Sequence, residues 1–461
     1  MNQTIQHAID DHAGDLKNLA RKIWEHPETA FNEVKACEWT AEFLRSQGFK
    51  VEVGYVGMPT AIRATWGSGH PIIGFLGEYD ALPGMSQKIS TQKEPVCPGA
   101  PGQGCGHNLL GVACVGGALG MKAALEESGR SGTVVFYGCP AEEVLTGKAF
   151  MARGGAFRDL DLAIAWHGGK NNGLTIGTST GLNSAVFHFH GVTAHAGGDP
   201  HNGRSALDAV ELMNVGANYL REHVTSDTRI HYVIKEGGTA PNIVPDNASV
   251  WYYVRAMSRE AIESTYARLI KCAEGAAHMT ETTLEIEFLG GCYNTLPNHV
   301  VINALHEAME EVPLPLWTEE EKTFADALNR QSPQYEALKE SGALDRGPLH
   351  TEVPPVVKRD GYGSTDVGDV EHIVPTAMVT TATCNLAAPG HSWQIAACAG
   401  TSIGEKGMLF GARVMAEAAM KFVADPALVE KAKAEFKSAM NGRIYHCPIP
   451  DEVPVPQPAN R

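Results

Sequence analysis

Cys105 and His107 stand two residues apart in Gly104-Cys105-Gly106-His107-Asn108, with glycine on both sides of the cysteine and an apolar run behind. On an extended backbone that spacing turns both side chains to one side, and the glycines let the main chain approach whatever the pair holds. Asn108 reads as a helix N-cap, which would set the thiol near the positive end of a helix dipole. Farther along, Glu142 and Glu143 are adjacent, His167 opens His167-Gly168-Gly169, and His391 sits in Pro389-Gly390-His391-Ser392. Cys105, His107, Glu143, His167 and His391 are five donors of types that zinc accepts, and manganese tolerates the harder ones. Five donors suggest two ions rather than one. Of two adjacent carboxylates only one can ligate from the same backbone, so its neighbour is free to move the proton of a water that a metal has acidified. The chemistry indicated is metal-assisted hydrolysis.

Taken singly, each residue has an ordinary explanation: a solvated acid pair, a hydrogen-bonded strand-end histidine, a plain turn. The elements around them argue otherwise. Residues 71–76 form an almost wholly apolar run that leads into Gly77-Glu78-Tyr79-Asp80-Ala81, as a strand buried on both faces does. A second such run, 133–138, delivers Cys139-Pro140-Ala141-Glu142-Glu143, and a third, 160–166, delivers His167. Three successive strand ends thus bring Asp80, the Glu142/Glu143 pair and His167 to one edge of one sheet, where α/β proteins present their ligands. Asp80 is expected to support the donors from behind. Between the first two strands, 85–103 reads as a loop, and 108–128 as a helix of small residues suited to close packing.

Helical periodicity covers 4–47, broken at His26-Pro27 and stopped at Gly48. From about 183 the texture changes to alternating strands: 184–190, a helix over 203–222, strands near 229–234 and 247–256, a helix over 258–277 and a strand over 283–289. That order, βαββαβ, predicts a self-contained α+β unit. The expected fold is therefore α/β, a mixed sheet flanked by helices that carries the metal site (1–182 and 298–461), with an inserted α+β domain (183–297). Residues 312–360 show no clear pattern, 395–423 reads as one helical tract, and the tail from Pro448 as draped or disordered.

At 461 residues the chain is long enough for two domains, and its net charge of −16 argues against nucleic acid or an anionic membrane as partner. It does not exclude a small anionic substrate, since metal ions and an arginine invert the field locally. No signal-peptide pattern and no run long enough to span a bilayer are read, and the ten cysteines lack CxxC spacing, so the expectation is a cytoplasmic enzyme. Gly104-Cys105-Gly106 opens like a dinucleotide fingerprint, but Leu109 replaces its third glycine. There is no P-loop and no Gly-x-Ser-x-Gly elbow. Cys105 as a nucleophile would leave Glu142, Glu143 and His391 without a task.

Cys105-Gly106-His107-Asn108, Pro140-Ala141-Glu142-Glu143, Thr193-Ala194-His195-Ala196, Pro241-Asn242-Ile243-Val244-Pro245 and Pro389-Gly390-His391 occur in the order found in aminoacylase-like metallo-amidohydrolases, which the chain resembles over nearly its whole length. Glu78–Gly84 and Ser364–Val370 resemble the branch that hydrolyses aminobenzoyl-glutamate. The resemblance implies two divalent ions, zinc or manganese, on Cys105, His107, Glu143, His167 and His391, with Glu142 as general base. It implies that 183–297 is a lid and dimerisation domain, joined through a strand edge and a helix, in a homodimer where the histidine matching His195 steadies the oxyanion in the other subunit's site. Asn242 and Arg255 match substrate contacts, and an arginine suits a carboxylate. The activity implied is cleavage of an N-acyl, in particular an aroyl, amino acid such as an aminobenzoyl-glutamate-like compound. Alternatives are indoleacetyl or other acyl-amino-acid conjugates, dipeptides, or a non-catalytic metal-binding chain in a heteromer with a related one. Two departures from the family pattern stand out: Asn108 where many relatives carry Asp, and Gly168-Gly169 after His167, where the pocket for the leaving group is expected to differ.

Overall fold

A computed structural model describes residues 2–459. Its strands, in chain order, are β1 (Lys50–Val53), β2 (Ile62–Ser68), β3 (Ile72–Glu78), β4 (Gly132–Cys139), β5 (Leu162–Gly169), β6 (Thr175–Ile176), β7 (Gly181–His190), β8 (Arg229–Glu236), β9 (Asn247–Ala256), β10 (Thr283–Cys292), β11 (Val357–Lys358) and β12 (Thr376–Ala382). They form a six-stranded mixed sheet ordered β1-β2-β4-β3-β5-β12 and a four-stranded antiparallel sheet ordered β10-β7-β9-β8, with β6 and β11 paired separately. In the large sheet β4, β3, β5 and β12 run parallel, while β2 is antiparallel to β1 and β4. Every residue of β4 is buried, which is why these strands read as continuous apolar runs instead of alternating ones.

Helix His107–Ser128 crosses the large sheet and packs against helix Ser402–Ala424. Its small residues permit the contact: a Cβ on Gly111 would lie 2.6 Å from the Glu78 carbonyl oxygen at the end of β3. This helix is long and apolar enough to cross a membrane, contrary to the sequence expectation, but 89% of its apolar window is buried inside the protein. It is the central core helix.

The four-stranded sheet carries helices Ala206–Leu220 and Arg259–Thr280 on one face, in the expected order, and has its own core of Phe187, Phe189, Met213, Val250, Tyr252 and Leu269. Its edge strand β8 leaves Tyr232, Val233 and Ile234 exposed, and Leu212, Val215 and Tyr219 are exposed on helix Ala206–Leu220. An apolar unpaired edge of this kind is a template for pairing.

Several elements differ from the sequence expectation. The N-terminal helical region also breaks at His12, giving helices Gln3–Asp11, Ala13–Glu25 and Val34–Ser46. The tract 395–423 is two helices, Trp393–Ala399 and Ser402–Ala424, because Gly400 ends the first and the Thr401 side chain caps the second. Within 312–360 lies helix Glu319–Asn329, opened by a capping box between Thr318 and Glu321, a signal legible in Thr318-Glu319-Glu320-Glu321. The tail is draped: Ile449 is buried, and Arg153 donates to the carbonyls of Pro450 and Val453 at 2.6 and 2.9 Å.

Candidate active site

Because β4, β3 and β5 are hydrogen-bonded parallel neighbours, their C-terminal ends lie side by side. Glu78 ends β3 and leads to Asp80, β4 leads through Pro140-Ala141 to Glu142 and Glu143, and His167 lies near the C-terminal end of β5. The turn after β4 is tight, with Ala141 and Leu145 both in the left-handed region (φ +59° and +60°). The buried Glu33 carboxylate holds it, accepting from the Ala141 amide at 2.8 Å, the Phe31 amide at 2.9 Å and the Thr60 hydroxyl at 3.1 Å.

Asn108 is not the N-cap. The helix begins at His107, and its cap is Gly106 in a left-handed conformation (φ +79°) that a residue with a Cβ seldom adopts. The Asn108 side chain instead donates to the carbonyls of Ala20 and Ala399 at 3.1 and 3.2 Å, tying two other elements to the helix start. Cys105 and His107 are therefore set by a left-handed glycine, not by an extended strand.

Cys105, His107 and His167 place donor atoms within 4.8 Å of one another, as do Cys105, Glu143 and His391, so Cys105 belongs to both groups. Cys105 Sγ is 3.3 Å from His167 Nε2, and His391 Nε2 is 3.6 Å from a Glu143 oxygen. His107 Nδ1 lies 3.0 Å from Asp80 Oδ1, whose other oxygen accepts from the Glu143 amide at 2.8 Å. Asp80 thus orients a ring and a backbone turn together, leaving His107 Nε2 buried and without a hydrogen-bond partner, as is Glu143 Oε1. Glu78, His107 and Glu142 form a third group, with Glu78 and Glu142 oxygens 3.5 and 3.8 Å from His107 Nε2. Burial raises the Cys105 thiol to about 12 and the Glu143 carboxyl to about 7, both against the pull of His107. Burial and then the Glu78 charge push Glu142 well above the usual carboxylate range.

Glu78, Cys105, Glu142, Glu143, His167 and His391 line a cavity of about 590 Å³ whose other walls include Leu145, Tyr253, Arg255, Gly363, Ser364 and Met378; His107 and Asp80 lie behind this lining. Arg255 comes from β9 of the small sheet and donates to the Ser364 hydroxyl at 3.2 Å. His195 and Asn242 do not line it. They lie together elsewhere, the Ala196 amide donating to the Asn242 carbonyl at 3.0 Å. His195 is exposed, and its Nδ1 accepts from the Gly197 and Gly198 amides at 3.1 and 2.9 Å. The remaining ring proton must then sit on Nε2, which makes His195 a donor.

The chain is similar to a component of the p-aminobenzoyl-glutamate hydrolase of Escherichia coli, with 40% identity over 474 residues and 98% of each chain covered. It belongs to the aminoacylase-like M20 family of metallo-amidohydrolases. It is also 30% identical to the Xaa-Arg dipeptidase of Mus musculus, over 93% of this chain and 90% of that one. Residues 178–280 match the peptidase dimerisation domain family. The fold is that of the aminobenzoyl-glutamate utilization protein of Klebsiella pneumoniae, with a TM-score of 0.63 at 17% identity, covering 91% of this chain and 98% of that one.

As an M20 hydrolase the protein is expected to hold metal, and its residues fit one. Glu78, Asp80, Glu142 and Glu143 converge on the single imidazole of His107 in a buried space. Buried like charges need compensation, and His107 Nε2 and Glu143 Oε1, both without a hydrogen bond, offer lone pairs of the kind divalent ions occupy. The thiol, imidazole and carboxylate mixture suits zinc and, through its harder members, manganese.

Sequence reasoning missed Glu33, Glu78, Lys148 and Asp366. Lys148 is fully buried and joins Glu78 Oε1 at 2.5 Å to Asp366 Oδ1 at 2.6 Å, while its own amide donates to Asp366 Oδ2 at 2.8 Å. This ion cluster sits directly behind the donors and clamps the end of β3 to helix Gly147–Arg153. An acidic residue at the exit of a buried strand was a signal for Glu78; nothing local marked Lys148. We expect Lys148→Met, which strands two buried carboxylates, to lose about 3–5 kcal/mol of stability. Denaturant unfolding of the full chain measures this, and a loss below about 1 kcal/mol would show that the cluster does not carry charge as described.

Proposed function

We propose that the protein cleaves the amide bond of an N-acyl, in particular an aroyl, amino acid of the aminobenzoyl-glutamate type. The observation that carries this reading is the pair of donor groups sharing Cys105 in a cavity that also holds Glu142 and Arg255. Cys105, His107, Glu143, His167 and His391 would hold two divalent ions, zinc or manganese, with Asp80 orienting His107. Those ions, when bound, supply Lewis acidity toward the amide carbonyl and the attacking water. Glu142 takes the proton from the water as its oxygen adds to the carbonyl carbon, then passes it to the departing nitrogen as the C–N bond breaks. Arg255 receives the carboxylate of the amino-acid half, in a fork geometry suited to it.

In this reading residues 1–182 and 298–461 form the catalytic unit and 183–297 the lid and dimerisation unit. The exposed β8 edge and the apolar face of helix Ala206–Leu220 support a homodimer. His195 of the partner subunit would bring its Nε2–H to the developing oxyanion, and Asn242 would contact substrate beside it. All ten cysteines are free, which supports a reducing, cytoplasmic setting. The Escherichia coli relative is one of two differently named components of its hydrolase, so a heteromer with a related chain is the second reading, and dipeptides the second substrate class. A product-release assay over a panel of N-acyl amino acids, with metal-free and metal-restored protein, tests both. Hydrolysis by the isolated chain supports the first reading, and a metal-loaded but inert chain supports the second.

We expect about two divalent ions per chain by elemental analysis, because five donors exceed one tetrahedral shell. Glu143→Gln, which weakens the group shared with Cys105 and His391, should lower that stoichiometry. Absence of metal from the purified chain, with activity indifferent to chelators, would sink the assignment.

A further inference from the structure

The β8–β9 register sets Arg229 directly opposite Arg255, and opposed residues of antiparallel strands project on one face of a sheet. That face is the one away from the helices, since Val250, Tyr252 and Val254, which alternate with Trp251, Tyr253 and Arg255, are buried in the core beneath them. Like charges so placed repel and cost stability. A local conflict of this kind marks a functional position when nothing else in the fold resolves it.

Both guanidinium groups are held, and by neutral oxygens. Arg229 donates to the carbonyls of Ser226 and Thr228 at 2.7 and 2.9 Å, and its guanidinium carbon lies 4.9 Å from the Tyr362 ring centre. Tyr362 stands between Gly361 and Gly363, two walls of the cavity that contains the donor cluster. Arg255 donates to the Ser364 hydroxyl, stands 5.2 Å from the Tyr253 ring centre, and has a buried Nε with no partner. The Asp227 carboxylate, which also accepts from the Met257 amide at 2.8 Å, offsets the Arg229 charge in part, while no ion pair joins a carboxylate to Arg255 among the described residues. Arg255 thus lines the cavity, and Arg229, which does not itself line it, stands opposite on the neighbouring strand against the Tyr362 ring. A monoanionic amino-acid half satisfies one of the two cations.

We propose that Arg229 is a specificity-determining residue that, paired with Arg255, selects an amino-acid half carrying a second carboxylate, as glutamate or aspartate does. The inference rests on the amide-hydrolase reading above and deepens it. Arg255 takes the α-carboxylate and Arg229 the side-chain carboxylate, so that the ligand's two charges resolve the repulsion between the two strands. A site built to bind an anion discriminates against the neutral isostere because its charged donors are then left unpaired.

The test compares N-(4-aminobenzoyl)-L-glutamate with the isosteric L-glutamine conjugate on metal-loaded full-length enzyme. The parent should prefer the glutamate conjugate in kcat/KM by about 10–100-fold. Arg229→Gln should shrink that preference by about tenfold through KM, and Arg229→Lys should restore part of it. A parent that treats the two conjugates alike, or an Arg229→Gln enzyme with the parental ratio, overturns the proposal. Should the parent cleave neither conjugate, the hydrolase reading fails by itself. Calorimetric binding of free L-glutamate against L-glutamine, to parent and Arg229→Gln protein, then decides the subsite: a glutamate preference lost in the variant upholds it, and equal binding overturns it.

Discussion

Glu142→Gln protein should bind divalent metal and substrate like the parent yet turn over more slowly by at least about 10²–10⁴-fold, the range that proton transfer alone supplies. Gln keeps the shape and one carbonyl acceptor but cannot take a proton. The structure sharpens the expectation. Glu142 lies in the group with Glu78 and His107, apart from the group that joins Cys105 to Glu143 and His391. It also lines the cavity beside the donors instead of being withdrawn behind them. Steady-state kinetics, metal analysis and substrate binding on one preparation check it. If Glu142→Gln lost metal while Glu143→Gln kept metal and lost turnover, the roles of the two carboxylates would be reversed.

The second large effect concerns His195. It is exposed, lies outside the cavity lining, and is fixed as an Nε2–H donor by two glycine amides. A donor so prepared, and absent from its own chain's cavity walls, suits a site completed by a second copy. His195→Ala is therefore expected to be nearly inactive, since loss of one oxyanion donor costs about 10²–10³-fold. Mixing it with Glu142→Gln protein under conditions that exchange subunits should restore activity. A mixed dimer has one site with Glu142 from one chain and His195 from the other, and a second site lacking both. With random exchange about half the dimers are mixed, so roughly a quarter of parental activity should return, as a two-fold interface requires. Native mass spectrometry confirms exchange. Exchange without recovered activity would show that His195 acts in its own chain or has no catalytic part.

Much of this was legible in the amino-acid sequence because strands buried on both faces announce themselves as apolar runs. Three such runs placed Asp80, Glu142/Glu143 and His167 at one sheet edge, and the βαββαβ order of the small sheet followed from alternation and helical periodicity. The failures were of two kinds. Asn108 looked like a cap, since asparagine before an apolar run usually is one. Packing overrode that preference: Gly106 takes the cap, and the Asn108 amide bridges Ala20 and Ala399, contacts 88 and 291 residues away in the chain. The tract 395–423 was read as one helix because periodicity persists across Gly400, where the break depends on a turn and a threonine cap.

What the sequence determined by itself was the residue types, the delivery of Asp80, Glu142/Glu143 and His167 at strand ends, and so the class of chemistry, because these depend on short-range periodicity and on the identity of each side chain. Only the tertiary structure decided which donors share a neighbour, with Cys105 common to two groups, and which charges stand behind them. Lys148 meets Glu78 and Asp366 across 70 and 218 residues of chain, and Arg229 meets Arg255 through a strand register. Ion pairs and registers are fixed by how whole elements pack, and no local pattern encodes the partner of a buried charge.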